Sequence, residues 1–503
     1  MIDMKKIILI FLALFCLIQF SSCENFLGQH PSHQAESSTA IASESDATVM
    51  MNGIMRQMLS SSYYGRNMML YADAKGGDMA VVALGRGSDG YYTFSHAASS
   101  GTTGSGYWAQ IYYCILQVNS LLAGIDHLEA TSGALTDKLK LHKGQALTLR
   151  ALMHFDLVRL YGKPYTTSGA TSTYGVPIAT EVLPTNAMPG RNTVGEVYSQ
   201  LILPDLAAAK DLLNNSTGKS KQNGFLNYYG NRAIYARVTL NMGNYDEAFS
   251  AAEEVITGGV YSLYSNANWV SSWSNQFGSE SIFELIVLPT ENDLTTTSWG
   301  AYLLRVGDTN ASSSILGYFV ASQAYVDRLN EGNSNDVRLG LMYADEKGNN
   351  RSCKKYSGVD YKGDKGSYSA VNIKVIRLSE MYLIAAEAAL LKSSPEKDKA
   401  ATYLQNIRKR SPDLAPATAA TVTLDMILDE RSRELFMEGH RFFDMMRHGK
   451  SITYDDGYLN GAIDPVNGRP QTIDGSFYKT ILPIWQSEIN ANPTMKDQQN
   501  PGY

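Results

Sequence analysis

Glu430, Glu434 and Glu438 recur every four residues in DERSRELFMEGHRFFDMMRHG, so they share one face of any helix that holds them. Carboxylates grouped in this way are the raw material of general acid–base or metal chemistry. Arg431, Arg433, Arg441 and Arg447 are interleaved at ion-pair spacings, with Asp429 and Arg433 four residues apart. The balance favours a partly buried charge network that fixes helix packing. His440 and His448 lie nearby, but neither an HExxH nor an ExxH spacing occurs, so metal catalysis has no support. Gly85, Gly87 and Gly90 match GxGxxG after Val81-Val82-Ala83-Leu84, yet Tyr-Tyr-Thr-Phe-Ser follows where a dinucleotide site needs a helix. No GxSxG nucleophile elbow and no GxxxxGK phosphate loop is present.

Recognition chemistry is better represented. One aperiodic, Gly-rich stretch holds Tyr63, Tyr64, Tyr71, Asp73, Asp78, Arg86, Asp89, Tyr91, Tyr92 and His96. A second holds Trp269, Trp273, Trp299, Tyr302, Arg305 and Tyr318. Flat rings beside carboxylates and guanidiniums suit a sugar polymer, which offers weakly polar ring faces edged by hydroxyls. For each ring the alternative is packing between loops and scaffold; the expectation is that at least one forms a ligand platform.

The elements that must position these groups are helical. Apolar residues recur at helical spacing from Trp108 to Leu122 and from Gly144 to Gly162, the second with a stripe of Leu149, Leu152, Met153, Leu157 and Leu160. Thr193 with Glu196 reads as a capping box opening another helix, which contains Pro204, a residue that strains a helix interior. Ala236, Gly243, Tyr245, Ala248 and Ala252 fit a tetratricopeptide-like helix–turn–helix, and a second such unit runs from Arg377 to Ser411-Pro412. Between about 259 and 373 the periodicity gives way to Tyr/Trp/Ser/Asn/Gly-rich pieces, read as loops, short helices and small β-ribbons. The expected fold class is mainly α, a tetratricopeptide-like scaffold whose long loop-rich insertions form the binding face.

In 503 residues, 44% are hydrophobic and only 18% charged, which excludes a disordered chain. With 43 Lys+Arg against 49 Asp+Glu the formal charge is −6, so no nucleic-acid partner is expected. Lys5-Lys6, the apolar run Ile7 to Ile18 and the small residues before Cys23 have the anatomy of an export signal, too short to span a bilayer. Cys23 at that position resembles a lipobox cysteine, acylated and made the mature N-terminus; the alternative is a plain signal with an incidental Cys. The organisation is then a signal over 1–22, a tether over 23–45, a helical region over 46–258 and a C-terminal region over 259–503, with the insert at about 259–373 and helical units at about 374–448. Cys114 and Cys353 are the remaining cysteines of the body; one bridge between them is open but unforced.

RLSEMYLIAAEA, DERSRELFMEGHRFFDMMRHGK and the terminal ILPIWQSEINANPTMKDQQNPGY, with GQALTLRALMHFDLVRLYGKP upstream, together resemble the SusD/RagB family of outer-membrane lipoproteins. One departure is Trp485, where the family's terminal motif usually carries a second Pro after Pro483-Ile484. The resemblance implies a surface-exposed, non-catalytic, lipid-anchored nutrient-binding protein. It would capture an oligosaccharide or polysaccharide fragment and pass it to a SusC-like TonB-dependent transporter. The two aromatic regions would supply the ligand contacts, with Asp73, Asp78, Arg86, Tyr91, Tyr92, Trp269, Trp273, Trp299 and Tyr302 as candidates. No cofactor is implied. Structural calcium at Asp455-Asp456-Gly457 lacks any EF-hand spacing. Peptide or glycopeptide cargo is an alternative within the binding class. An exported glycoside hydrolase, needing two carboxylates about 5–10 Å apart across a cleft, is the alternative from another class.

Overall fold

Residues 105 to 125 contain no charged side chain and place apolar residues on every turn; they form the first three quarters of the longest helix among the described residues, Ser105–Ser132. The computed structural model describes residues 41–85, 89–99, 105–295, 297, 299–303, 317–332, 335–345, 347–356, 370–459, 463 and 468–503. The signal, most of the tether, Cys23 and Arg86 lie outside the described residues. The ordered body begins slightly before the expected end of the tether: Ile41 is buried and Ser43 caps a helix, its hydroxyl accepting the Asp46 N–H.

The helices used below are α1 (Glu44–Met58), α2 (Asn67–Lys75), α3 (Asp89–Thr93), α4 (Ser105–Ser132), α5 (Asp137–Tyr161), α6 (Leu203–Leu213), α7 (Tyr228–Asn241) and α8 (Tyr245–Thr257). They continue as α9 (Asn266–Trp269), α10 (Trp299–Leu303), α11 (Gln323–Leu329), α12 (Leu378–Leu391), α13 (Lys397–Arg408), α14 (Leu424–Leu435), α15 (Arg441–Arg447) and α16 (Gln486–Ala491). Among the described residues the strands are short and pair only in twos, all antiparallel: β1 (Met79–Val81) with β3 (Phe319–Ala321), and β2 (Ser281–Leu285) with β6 (Ile373–Arg377). The other two ladders join β4 (Met342–Tyr343) to β5 (Ser352–Cys353) and β7 (Ile452–Thr453) to β8 (Thr472–Ile473). A mainly helical body is therefore what the sequence builds.

α5 is buried on nearly every side rather than along one stripe, because α1, α4, α6 and α7 all pack around it. Its polar side chains survive there by pairing. Arg150 forms a two-pronged contact with Asp205 (2.7 and 2.8 Å) and also donates to Asn119 Oδ1 and the Thr180 carbonyl. The capping box at Thr193 and Glu196 is formed. Pro204 does not break the helix that follows; it sits in the first turn of α6, after a π-helical turn over Val197–Ile202 that absorbs the register change. α7 and α8 make a helical hairpin whose turn uses Gly243 at φ +73° and Asn244, which caps α8 through Glu247 N–H. α12 and α13 make a second hairpin, and α8 against α12 stacks the two, with α14 packed on α12.

Cys114 and Cys353 are both buried free thiols, pushed up by burial to about 12 and about 11. Trp485 takes φ −64° and ψ 138° just before α16, a backbone that proline would also adopt, so its departure from the terminal motif leaves the local path unchanged.

Candidate functional site

Most of the candidate aromatics are placed inside the core, which corrects the expectation of an exposed platform. Trp269 is 2% and Trp273 4% exposed. Trp269 donates its indole N–H to Glu434 Oε1 at 3.3 Å. Cations surround the Trp273 ring: Lys355 Nζ at 4.5 Å, Lys374 Nζ at 5.0 Å and the Arg377 guanidinium at 5.5 Å. The indoles thus sheathe a buried charge network, where a ring quadrupole stabilises cations that water cannot reach. Trp299 is fully buried and donates to the Met437 carbonyl at 2.9 Å.

The polar candidates of the first region are likewise internal. Asp73 accepts the Gly439 N–H at 2.7 Å, and burial raises its carboxyl well above the usual range. Asp78 is also buried, but Arg441 and Arg328, with the Ser432 hydroxyl, outweigh burial and hold it below that range. Tyr91 is buried, pushed up to about 12 by burial, and Tyr92 donates to the Asp455 carbonyl and to Asp456 Oδ1 (2.6 and 2.7 Å). Tyr63 and Tyr64 both donate to Asp156 Oδ2. The Asp455 and Asp456 carboxylates, offered for calcium by the sequence, are held by Arg351 and Arg469 respectively.

The three glutamates form a structural network, but not on one helix face: Glu430 and Glu434 lie on α14, which ends at Leu435, and Glu438 lies in the turn beyond it. Glu434 contacts Arg377 Nη1 (2.7 Å), Arg410 Nε (3.0 Å) and Arg338 Nη1 (3.2 Å); Glu438 contacts Arg377 and Lys355, and Glu430 contacts Arg338. Burial opposes ionisation of Glu434, yet the three guanidiniums hold its carboxyl far below the usual range. Acids locked in this state do not shuttle protons near neutral pH. Among the described residues no cluster of three or more His, Cys, Asp or Glu is arranged to hold a metal.

Where the two aromatic regions meet, groups do reach the surface. β1 and β3 bring them together, and the ladder extends through Val82 N–H to the Tyr318 carbonyl (3.0 Å) and Tyr318 N–H to the Tyr302 carbonyl (3.1 Å). The Tyr302 and Tyr318 rings meet edge to face, 5.5 Å apart at 87°. The Arg66 guanidinium lies 4.3 Å from the centre of the Tyr302 ring, its Nε donating to Asn67 Oδ1 at 2.9 Å. α2 carries Asn67, fixed from behind by the Tyr107 hydroxyl on its carbonyl (2.6 Å). Trp299 N–H bonds the Gly65 carbonyl at 2.8 Å, anchoring α10 beside Arg66. Arg66, Asn67, Val82 and Tyr318 are half-buried, Tyr302 is 9% exposed, and Leu84 stands out at 48%.

This rim offers a paired aromatic edge, a guanidinium and an amide; among the described residues it holds no nucleophile–base pair and no facing carboxylates. Of the eight candidates among the described residues, only Tyr302 belongs to it; Arg86 lies outside them. Arg66 and Asn67 escaped sequence reasoning because a lone Arg-Asn after Tyr63-Tyr64-Gly65 has no spacing that marks it; the neighbouring tyrosines were the available signal.

Known proteins are similar to the chain over nearly its full length. The model described as "SusD family" matches residues 302–503, and the one described as "Starch-binding associating with outer membrane" matches residues 25–240. A curated relative, the starch-binding protein SusD of Bacteroides thetaiotaomicron, is 25% identical over 54% of this chain and 60% of its own length. A solved laminarin-binding SusD-like protein shares the fold, with TM-score 0.67 and 21% identity over 92% of this chain and 99% of that one. A solved SusD superfamily protein, also from Bacteroides thetaiotaomicron, superposes with TM-score 0.80 at 31% identity, covering 92% of this chain and all of its own. The chain belongs to the SusD family.

Proposed function

We propose that this chain is an outer-membrane lipoprotein, anchored through acylated Cys23, that captures oligosaccharide fragments at the Arg66–Tyr302–Tyr318 rim and delivers them to a SusC-like TonB-dependent transporter. The observation that carries the reading is the rim itself: two rigidly held tyrosines and a guanidinium at the junction of the two loop regions, on a body whose central glutamates, Glu430, Glu434 and Glu438, are held in ion pairs. Such a site grips ring faces and hydroxyls and leaves glycosidic bonds intact. The starch and laminarin named for relatives support a glucan-type cargo.

A transporter partner is supported by α4. Its solvent side carries Ala109, Tyr113, Leu116, Ser120 and Ala123 with no charge, and Tyr113 and Leu116 are 45% and 39% exposed. Ile41 packs against Gly124, one position beyond that stripe, so the tether joins the body beside it. An uncharged face beside the point where the tether enters the body suits a membrane-embedded partner.

Calorimetry of the mature chain against soluble starch, laminarin and their oligosaccharides tests the reading. Arg66→Ala and Tyr318→Ala are each expected to weaken binding by about 1–2 kcal/mol without lowering the melting temperature by more than about 2 °C. Unchanged affinity in both variants, or release of new reducing ends by the wild-type chain, would overturn it.

A further inference from the structure

Away from the rim, the β7–β8 ladder and the segment after it enclose an open groove of about 380 Å³. Its wall is Tyr478, 40% exposed. The ring is held from behind. Phe477 and Tyr503 meet it edge-on at 5.6 and 5.2 Å, and the Tyr503 hydroxyl is tied to the Ile481 carbonyl at 2.8 Å. Gly502 adopts φ +93° so close to the ring that a Cβ there would lie 2.4 Å from Tyr478 Cδ2. Glycine at this position lets the backbone lie against the phenol and fix its plane.

Ser451, Thr472, Asp474 and Ser476 line the groove together with the ring. Asp474 Oδ1 accepts both the N–H and the hydroxyl of Ser476, at 2.8 and 2.6 Å, and the Thr472 hydroxyl is paired with that of Thr453 at 2.9 Å. No lysine or arginine is among the described residues that line the groove; Lys450 is drawn off to Asp425 at 2.7 Å, and the buried Lys479 places its Nζ 5.7 Å from the centre of the Tyr478 ring. One immobilised aromatic face, three hydroxyls and a single carboxylate make a surface too polar for an apolar partner and with no cation on its described lining for an anionic one. A pyranose ring meets it well: axial C–H groups on the phenol, hydroxyls on the serines, threonine and carboxylate. Phe477 in turn packs on Phe94 at 5.7 Å, just after α3, so the groove is mechanically joined to the strip of chain that leads from the rim.

We propose that the Tyr478 groove is a second carbohydrate subsite, for pyranose units of a neutral polysaccharide. It rests on the glycan reading above and adds to it a place where a long chain gains a second hold. Two weak sites on one polymer raise the affinity for long chains while leaving that for short ones to the stronger site alone.

Affinity gel electrophoresis through soluble starch and laminarin, with maltotriose and laminaritriose measured by calorimetry, tests this on the mature chain. Tyr478→Ala is expected to weaken retardation by the preferred polymer about tenfold and to leave the trisaccharide affinity unchanged. Tyr478→Phe keeps the platform and should bind as wild type. Ser451→Trp fills the groove without disturbing the packing behind the ring, and should match Tyr478→Ala. Wild-type retardation in both Tyr478→Ala and Ser451→Trp, with Tyr318→Ala still impaired, would overturn the groove and spare the rim. A wild-type chain that neither polymer retards would overturn both.

Discussion

Replacing Glu434 with Gln separates a scaffold carboxylate from a catalytic one. The side chain is fully buried at the centre of three guanidiniums, Arg377, Arg410 and Arg338, and takes the Trp269 indole N–H as well. Glutamine keeps the volume but removes the charge and turns an amide donor toward cations. Breaking a buried ion pair typically costs about 3–5 kcal/mol. The neighbouring acids soften the loss: Arg377 retains Glu280 and Glu438, Arg410 retains Glu280, and Arg338 retains Asp336 and Glu430. The lower end, about 3 kcal/mol, is therefore expected. An unfolding entropy of roughly 2 cal/mol/K per residue, summed over a chain of this size, is about 1 kcal/mol per kelvin, so the melting temperature should fall by about 3 °C. Differential scanning calorimetry reads this directly, with glycan affinity measured on the same preparations. Binding per folded molecule should stay at the wild-type level. A melting temperature unchanged within a degree would refute the network argument, and an accompanying loss of glycan cleavage would restore the hydrolase.

Cys23→Ala should move the protein from the membrane pellet to the soluble fraction; retention in the pellet would mean a different anchor. Tyr113→Glu with Leu116→Glu places two charges on the exposed stripe of α4 and should abolish co-purification of a large β-barrel from detergent extracts while leaving glycan affinity unchanged. Equal recovery of the barrel would remove α4 as the docking face. His154 is neutral in the fold, Nδ1 against the Arg150 carbonyl (2.9 Å) and Nε2 accepting the Ala179 N–H (3.3 Å), and burial lowers it to about 4. The unfolded chain takes up its proton below about 6.5 while the folded chain resists until about 4, so stability must fall as pH drops through that window, by up to about 3 kcal/mol from this residue. His440, also lowered to about 4 by burial, acts in the same direction. In His154→Gln the decline in urea midpoint from pH 7 to pH 4.5 should be visibly shallower; an identical slope would contradict the assignment.

The helices could be read from the chain because their causes are local. The repeat of apolar residues in Gly144 to Gly162, the Thr193–Glu196 cap and the Gly243-Asn244 turn each lie within one or two turns of the residues they organise. Depth is different. α5 looks like an amphipathic helix in sequence, and only the arrival of four other helices converts its polar side into interior. The two indoles of the insert carry the composition of a binding platform, and their fate is decided by Glu434, Lys355 and Arg377, residues some 80 to 165 positions away. No local pattern reports that distance, so rings destined for a sheath and rings destined for a rim look alike.

That same division explains why the rim is built from few residues. Tyr302 and Tyr318 are carried on short elements, α10 and the residue preceding β3, with little packing of their own. They hold their relative geometry because the chain on either side is fastened to the charge network beneath: Trp299 to Met437 beside Glu438, and Tyr325 of α11 to the Arg433 carbonyl. Buried ion pairs add little net stability when weighed against apolar packing, but they are directional, and a misplaced guanidinium leaves a charge stranded. A scaffold tied by α14 can therefore tolerate exchange of the loops above it without losing register. If the proposed rim is the binding face, substitutions at Arg66 or Tyr318 should change glycan affinity with little change in melting temperature, whereas substitutions at Glu430 or Glu434 of α14 should do the reverse.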